Sequence, residues 1–302
     1  MNTQTFTQIG WIPMQKISMM MASVVLSVGM NTMLTIADQP DEVTDTVNQD
    51  TLSFSFGADM TSAYFFRGYL QENQGIIIQP WVEFGVSLKE GDGDSPDVSL
   101  IFGNWNSFQS EKTGSTKKNL RTWYESDFYV GVAMDWESFS LGISYTVYTY
   151  PSSTFNTVQE LGVTAGFSLP ENVMFSNLLG DISLGLHIEV NNSNVNTNES
   201  VYFELGFGPS FEIFDSSGAT MSFPVTLGFS IDDYYVDASG KDDFFGYSSI
   251  GADIEFPLGS GSNGDWTMNI GGKLLFLGSA VEAANNGKDD EVLGYINLSV
   301  SY

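Results

Sequence analysis

The stretch Phe139 to Val147 reads FSLGISYTV, and its two faces have different chemistry. Phe139, Leu141, Ile143, Tyr145 and Val147 share one side of an extended chain, while Ser140, Gly142, Ser144 and Thr146 share the other. Alternation of period two marks a strand, because successive side chains point to opposite faces. DISLGLHIEV, from Asp181, repeats it: Ile182, Leu184, Leu186, Ile188 and Val190 face one way, with Ser183, Gly185, His187 and Glu189 opposite. The same texture recurs in Leu52 to Arg67, Ile76 to Leu88, Val98 to Trp105, Trp123 to Trp136, Val158 to Leu169, Val201 to Phe211, Met221 to Ile231, Phe244 to Leu258, Trp266 to Leu277 and Val292 to Tyr302. From Thr51 onward no segment has helical periodicity, so the chain is all-β with about twelve strands, an even number. Polar pieces such as EGDGDSPD, NNSNVNTNES, DDYYVDASGKDD and GSAVEAANNGKDD separate the strands and carry turn chemistry.

The polar face decides between a soluble sandwich and a membrane barrel. A sandwich turns charged residues to water, whereas here the second face is Gly, Ser, Thr and Asn with isolated carboxylates. That composition fits a lumen, and the apolar face then meets lipid. Residues 51–302 are expected to form one closed antiparallel transmembrane β-barrel, with outer-membrane lipid as its surroundings. With odd strands running up, the long connections gather at one end and the short ones, including the Glu137-Ser138 link, at the other, as in outer-membrane barrels. Trp136, Phe139, Phe211, Phe223, Phe256, Trp266 and Tyr302 cluster at the short-turn end, where amphipathic rings favour the bilayer interface. The chain finishes GYINLSVSY, an alternating strand ending in an aromatic; it resembles the recognition signal of bacterial outer-membrane barrels, which implies closure against the first strand and engagement by the barrel-assembly machinery. Pro80, Pro209, Pro224 and Pro257 lie inside or near strands, and each is expected close to a strand end.

Composition narrows function. With 10 Lys plus Arg against 37 Asp plus Glu, the net charge is −27, which excludes a nucleic-acid partner because phosphate binding needs clustered cations. Cysteine is absent, so disulfides, thiolate metal sites and thiol nucleophiles are ruled out. The apolar run ISMMMASVVLSVGM after Lys16 is short for a bilayer-spanning helix and fits the core of a signal peptide; residues 1–37 are expected to be that signal, and residues 38–50 a disordered acidic leader.

Projecting the alternation inward gives the pore-lining candidates Asp59, Glu83, Asp127, Glu160, Glu204 and Asp253, with Arg67 and Lys273 as rare cations. Glu125, Asp135, Glu189, Glu255 and His187 fall on the same face. Such an excess of carboxylates would make an open pore for small solutes or ions prefer cations. The competing reading is a plugged, non-conducting barrel with a structural or adhesive role, its carboxylates paired with the few cations and with Tyr and Ser hydroxyls. Catalysis is not expected: His187 is the one histidine base, and no nucleophile set surrounds it in sequence. No cofactor or metal site is expected either, since DGDSPD and DDYYVDASGKDD lack the closing Glu of a calcium loop.

One stretch stands apart. TSAYFFRGYLQ, Thr61 to Gln71, sets a lone arginine among aromatics. The parity of Leu52, Phe54, Phe56, Ala58 and Met60, carried forward, sends Tyr64 and Phe66 outward to an upper aromatic girdle and Phe65 and Arg67 inward. With the alternating segment that follows, it resembles the N-terminal strand pair of the TorF-type porin family in Thr61, Ser62, Tyr64, Phe66, Arg67, Gly68 and Gln71, with Ala63 where that family more often has Asp or Asn. The resemblance covers about thirty residues and implies an outer-membrane, pore-forming protein without naming a solute.

Overall fold

The computed structural model describes residues 51–302 apart from 112–121, 152, 154, 171–175, 192–198, 215–217 and 262. The expected signal and leader, residues 1–50, lie outside the described residues.

Twelve antiparallel strand lines close on themselves. They are β1 (Leu52–Thr61), β4 (Ile77–Lys89), β5 (Asp97–Gln109), β6 (Trp123–Asp135), β7 (Phe139–Thr149), β8 (Val158–Phe167), β9 (Asp181–Asn191), β10 (Val201–Gly208) continued by β11 (Ser210–Phe214), β12 (Ala219–Ser222) continued by β13 (Val225–Asp232), β14 (Phe245–Gly259), β15 (Asp265–Leu277) and β16 (Asp290–Ser301). Sequential neighbours pair throughout, and the seam joins β1 to β16 from Ser55↔Ser301 to Thr61↔Tyr295. Two further strands, β2 (Tyr64–Phe66) and β3 (Tyr69–Glu72), pair only with each other. The short helices α1 (Ser176–Leu179) and α2 (Ser279–Ala284) sit in connections.

The prolines act where a ladder donor can be spared. Pro209 separates β10 from β11 and Pro224 separates β12 from β13, so this hairpin bends at one level. Its tip, β12, pairs with β14 at Thr220↔Glu255 while β13 pairs with it higher up at Val225↔Ile250. A register shift falls between Pro257 and Gly259.

The apolar face points out along the whole wall: Phe56, Phe84, Phe128, Ile143, Leu186, Ile250 and Leu298 are all large, apolar and exposed. Among the described residues the closed ladder pairs each wall strand on both sides except the short tip strand β11, which pairs only with β12, so this is a bacterial outer-membrane β-barrel. Rings gather at the end carrying both chain ends of the barrel: Phe54 contacts Phe84 and Tyr302, Trp136 contacts Phe139, and Phe211 contacts Phe223. At the opposite end the outward rings are Phe108 stacked on Trp123 and Phe229 against Phe244.

The strand expected over Leu52 to Arg67 is corrected. β1 leaves the wall after Thr61, where its hydroxyl bonds the Ala63 carbonyl at 2.7 Å and the Ser62 amide bonds the Gly294 carbonyl at 2.9 Å. The chain then folds as the β2–β3 hairpin into the barrel. Tyr64 and Phe66 consequently face inward partners and belong to no girdle, and Tyr64 is only 3% exposed. The strand expected over Val98 to Trp105 runs four residues further, to Gln109.

Candidate functional site

The hairpin turns at Arg67 and Gly68, with φ of 48° and 87°. Both central residues of this two-residue turn are left-handed, the geometry whose twist matches antiparallel strands and which Gly and Asn occupy at least cost. Its two faces reach opposite walls. On one side Tyr64 and Phe66 pack with Trp81, Trp105, Tyr124, Tyr150 and Phe155; on the other Phe65, Tyr69 and Leu70 pack with Tyr202, Tyr235, Tyr247, Leu275, Leu277 and Val281. The hairpin thus bridges the upper lumen. Tyr64 donates to Glu125 at 2.8 Å, Tyr124 donates to Gln71 at 2.5 Å, and Asn285, just past α2, donates to the Gly68 carbonyl at 2.8 Å.

A connecting loop joins it from above. In residues 233–244 the Tyr234 and Tyr235 side chains are buried, and the Tyr235 hydroxyl donates to the Arg67 carbonyl at 3.0 Å. Tyr235 lies flat over Gly246, where a Cβ would come within 1.9 Å of the ring.

Arg67 ends in a site made by five elements. Its guanidinium donates to both oxygens of Glu160 on β8, at 2.7 and 2.9 Å, and to the Tyr234 hydroxyl at 3.2 Å. It also stacks on Tyr202 of β10, 4.3 Å from the ring centroid, and lies 4.9 Å from Phe66 and 5.4 Å from Tyr234. Glu160 is held from behind: Tyr148 of β7 donates to it at 3.0 Å and His187 Nδ1 of β9 lies 2.8 Å away. Arg67 and Glu160 are each about 5% exposed or less. A fork of two charge-assisted bonds with aromatic faces alongside is the strongest way a planar cation is held in a protein.

Below and around this pair, carboxylates meet tyrosines. Glu204 accepts from Tyr202 at 2.5 Å and from Tyr247 at 3.0 Å; Glu83 accepts from Tyr129 at 2.8 Å; Asp253 accepts from Tyr295. Strand register lines up Gln79, Asp59, Asn297, Asn269 and Glu255 as a row of acids and amides across β4, β1, β16, β15 and β14, with Asn297 donating to Asp59 at 3.0 Å. Lys273 extends over the Tyr295 ring at 5.6 Å. Among the described residues, the ion pairs of the lumen converge on Glu160, and the third pair, Lys288 with Glu291, lies at a strand end.

Of the residues singled out from sequence, Arg67, Glu83, Asp127, Glu160, Glu204 and Asp253 are buried, with Glu125, His187 and Glu189, while Asp59 and Lys273 are half-buried; all sit on the inner face. The structure brings Arg67, Glu160 and His187 into one site and leaves Glu83 and Asp253 in separate tyrosine pairs. The competing reading expects tyrosine hydroxyls as carboxylate partners but singles out no individual tyrosine: Tyr148, Tyr202, Tyr234, Tyr235 and Tyr247 build the site as much as the charges do. His187 turns one ring nitrogen to Glu160 rather than to a nucleophile. The loop acids serve their own turns. Asp92 accepts from the Ser95 hydroxyl and amide, and Asp237 from Ser239 and the Lys241 amide; these hydrogen bonds, the serine hydroxyl's first, hold both carboxyls below their usual range.

No family model matches this chain, and no curated protein does. Among solved structures it is similar to an outer-membrane channel from Pseudomonas putida F1 (8% identity, 85% of this chain and 100% of that one, TM-score 0.48). It is also similar to the NanC porin (13% identity, 83% and 98%, TM-score 0.38) and to the translocator domain of the autotransporter NalP from Neisseria meningitidis (14% identity, 85% and 89%, TM-score 0.39). Likeness at these values assigns no activity, and the fold stands on the strand pairing itself.

Proposed function

We propose that this protein is a porin-like outer-membrane channel for passive diffusion of small solutes or ions, that it prefers cations, and that the form described here is narrowed by its own β2–β3 hairpin. The carrying observation is the charge of the inner face. Glu83, Glu204 and Asp253 accept tyrosine hydroxyls and form no salt bridge among the described residues; Arg67 is spent on Glu160, and Lys273 alone faces Asp253, Glu204 and Asp59, so negative charge outweighs positive on the inner face. A low-dielectric wall focuses such potential along the lumen and raises the local concentration of cations. The acid and amide row from Gln79 to Glu255 supplies oxygens on which a hydrated cation can step. The resemblance of residues 61–71 to the TorF-type porin family supports the same reading, and the residues that carry it form the end of β1 and the hairpin. Membrane insertion through β16 by the barrel-assembly machinery belongs to this proposal; enzymatic activity does not.

The test is planar-bilayer recording of refolded full-length protein beside a variant in which residues 63–75 are replaced by a short Gly-Ser turn. Conductance steps, larger in the variant, with reversal potentials in a KCl gradient of cation-selective sign, are the expected result. Silence from both proteins would refute the channel reading and leave a non-conducting barrel; anion selectivity would refute the cation preference.

A further inference from the structure

We infer that the Glu160 pocket is a recognition site for guanidinium-type organic cations, and that Arg67 is its built-in occupant. The proposal rests on the channel reading above, because a solute meets the site only where it passes the hairpin.

Three observations carry it. First, the pocket is organised without Arg67. Glu160, Tyr148 and His187 come from adjacent wall strands, Tyr148 and His187 each hydrogen-bond Glu160, and Tyr202 stands beside them on the next strand. Withdrawal of the hairpin would remove Arg67, Phe66 and Phe65 and leave the carboxylate with its Tyr148 and His187 contacts and the Tyr202 ring. Second, the chemistry fits a planar cation: two parallel bonds to one carboxylate, a phenol oxygen and a stacked ring. A spherical ion uses neither the fork nor the ring in this way. Third, Arg67 is an awkward residue for its backbone. At φ of 48° the first central position of the turn favours Asn or Gly, so an arginine there is kept by what its side chain reaches. The neighbouring Gly68, at φ of 87°, lets the turn close.

The site would therefore take free arginine, other guanidinium compounds and, less well, alkylammonium ions. Such a solute competes with Arg67 for Glu160, and its binding favours the withdrawn hairpin.

Arg67→Gly tests this directly, since glycine suits the turn and vacates the pocket. Thermal unfolding of detergent-refolded protein is followed by the loss of the heat-modifiable gel band, with methylguanidinium and argininamide as probes at low millimolar concentration. The expected result is a rise of several degrees in the midpoint of R67G, a smaller rise with methylammonium, and no rise in the parent protein or in R67G/E160Q. No shift in R67G, or an equal shift in all three proteins, overturns the inference. Should R67G fail to fold, its refolding yield gives the same answer: methylguanidinium must restore the folded band, and failure to do so also overturns it. The measurement needs no conductance, so a channel that conducts without binding methylguanidinium refutes this inference alone, and binding without conductance refutes the channel reading.

Discussion

Replacing Glu160 by Gln keeps the volume of the side chain and removes its charge, which isolates what the ion pair contributes. In the parent protein the carboxylate receives two bonds from the Arg67 guanidinium, one from Tyr148 and a contact from His187, and both members of the pair are buried. The glutamine can accept at one oxygen only and turns an NH2 group towards the guanidinium. A buried charge left without its partner costs about 3–5 kcal/mol. Stacking of Arg67 on Tyr202, worth about 2 kcal/mol in a desolvated site, survives the change and does not offset that cost. Glu83→Gln is the internal comparison, because Glu83 accepts a single phenol and has no cation within salt-bridge distance among the described residues; its loss should cost about 1 kcal/mol. Urea unfolding in lipid vesicles reads both, through the fluorescence of Trp81 and Trp105, which pack beside the hairpin. The double variant R67Q/E160Q should be less destabilised than the sum of its single changes by at least about 2 kcal/mol, since the second change removes the charge that the first one orphaned. Equal costs for E160Q and E83Q, or additivity in the double variant, would show that water already solvates the pair and that Arg67 does not hold the hairpin.

Other consequences are independent of that pair. Gly246→Val places atoms where the Tyr235 ring lies and should expel residues 233–244, seen as faster protease cleavage of that loop on intact cells; unchanged cleavage would count against the loop's anchoring. Ile250→Arg puts a charge on the lipid face and should cost about 2–4 kcal/mol of folding stability in bilayers, while Ile250→Leu should be near neutral. Glu83→Lys should move the reversal potential in a KCl gradient towards anions, and an unmoved potential would take Glu83 out of the ion path.

The wall was legible because period-two alternation is imposed by the sheet at every residue. Phe139 to Val147 and the inner carboxylates from Asp59 to Glu255 follow from parity alone, since one face must meet lipid and the other must not. The hairpin was harder to read for a physical reason. Alternation describes a strand with two unlike environments, and in Ala63-Tyr64-Phe65-Phe66 both parities are apolar, because the segment is surrounded by protein on every side. Carrying the parity of β1 across it therefore sent Tyr64 and Phe66 to the wrong face. The loss of alternation, followed at once by Arg-Gly, was the available signal. Tyr234 and Tyr235 escaped in the same way: two adjacent aromatics within an acidic loop have no reason to be there unless the loop folds back onto something. Which carboxylate would receive Arg67 could not be read at all, because the pairing with Glu160 spans 93 residues of sequence and depends on where the turn ends in space.

The position of the hairpin directly after β1 also constrains assembly. The seam from Thr61↔Tyr295 to Ser55↔Ser301 joins the first strand to the last, so it cannot form until the whole chain is present, and contacts this distant in sequence are the slowest to be reached. The segment that fills the upper lumen is tethered at one end to β1 and at the other to β4. The wall partners of Arg67, namely Tyr148, Glu160, His187 and Tyr202, lie on β7 to β10, so capture of the arginine needs no part of the seam and can precede closure.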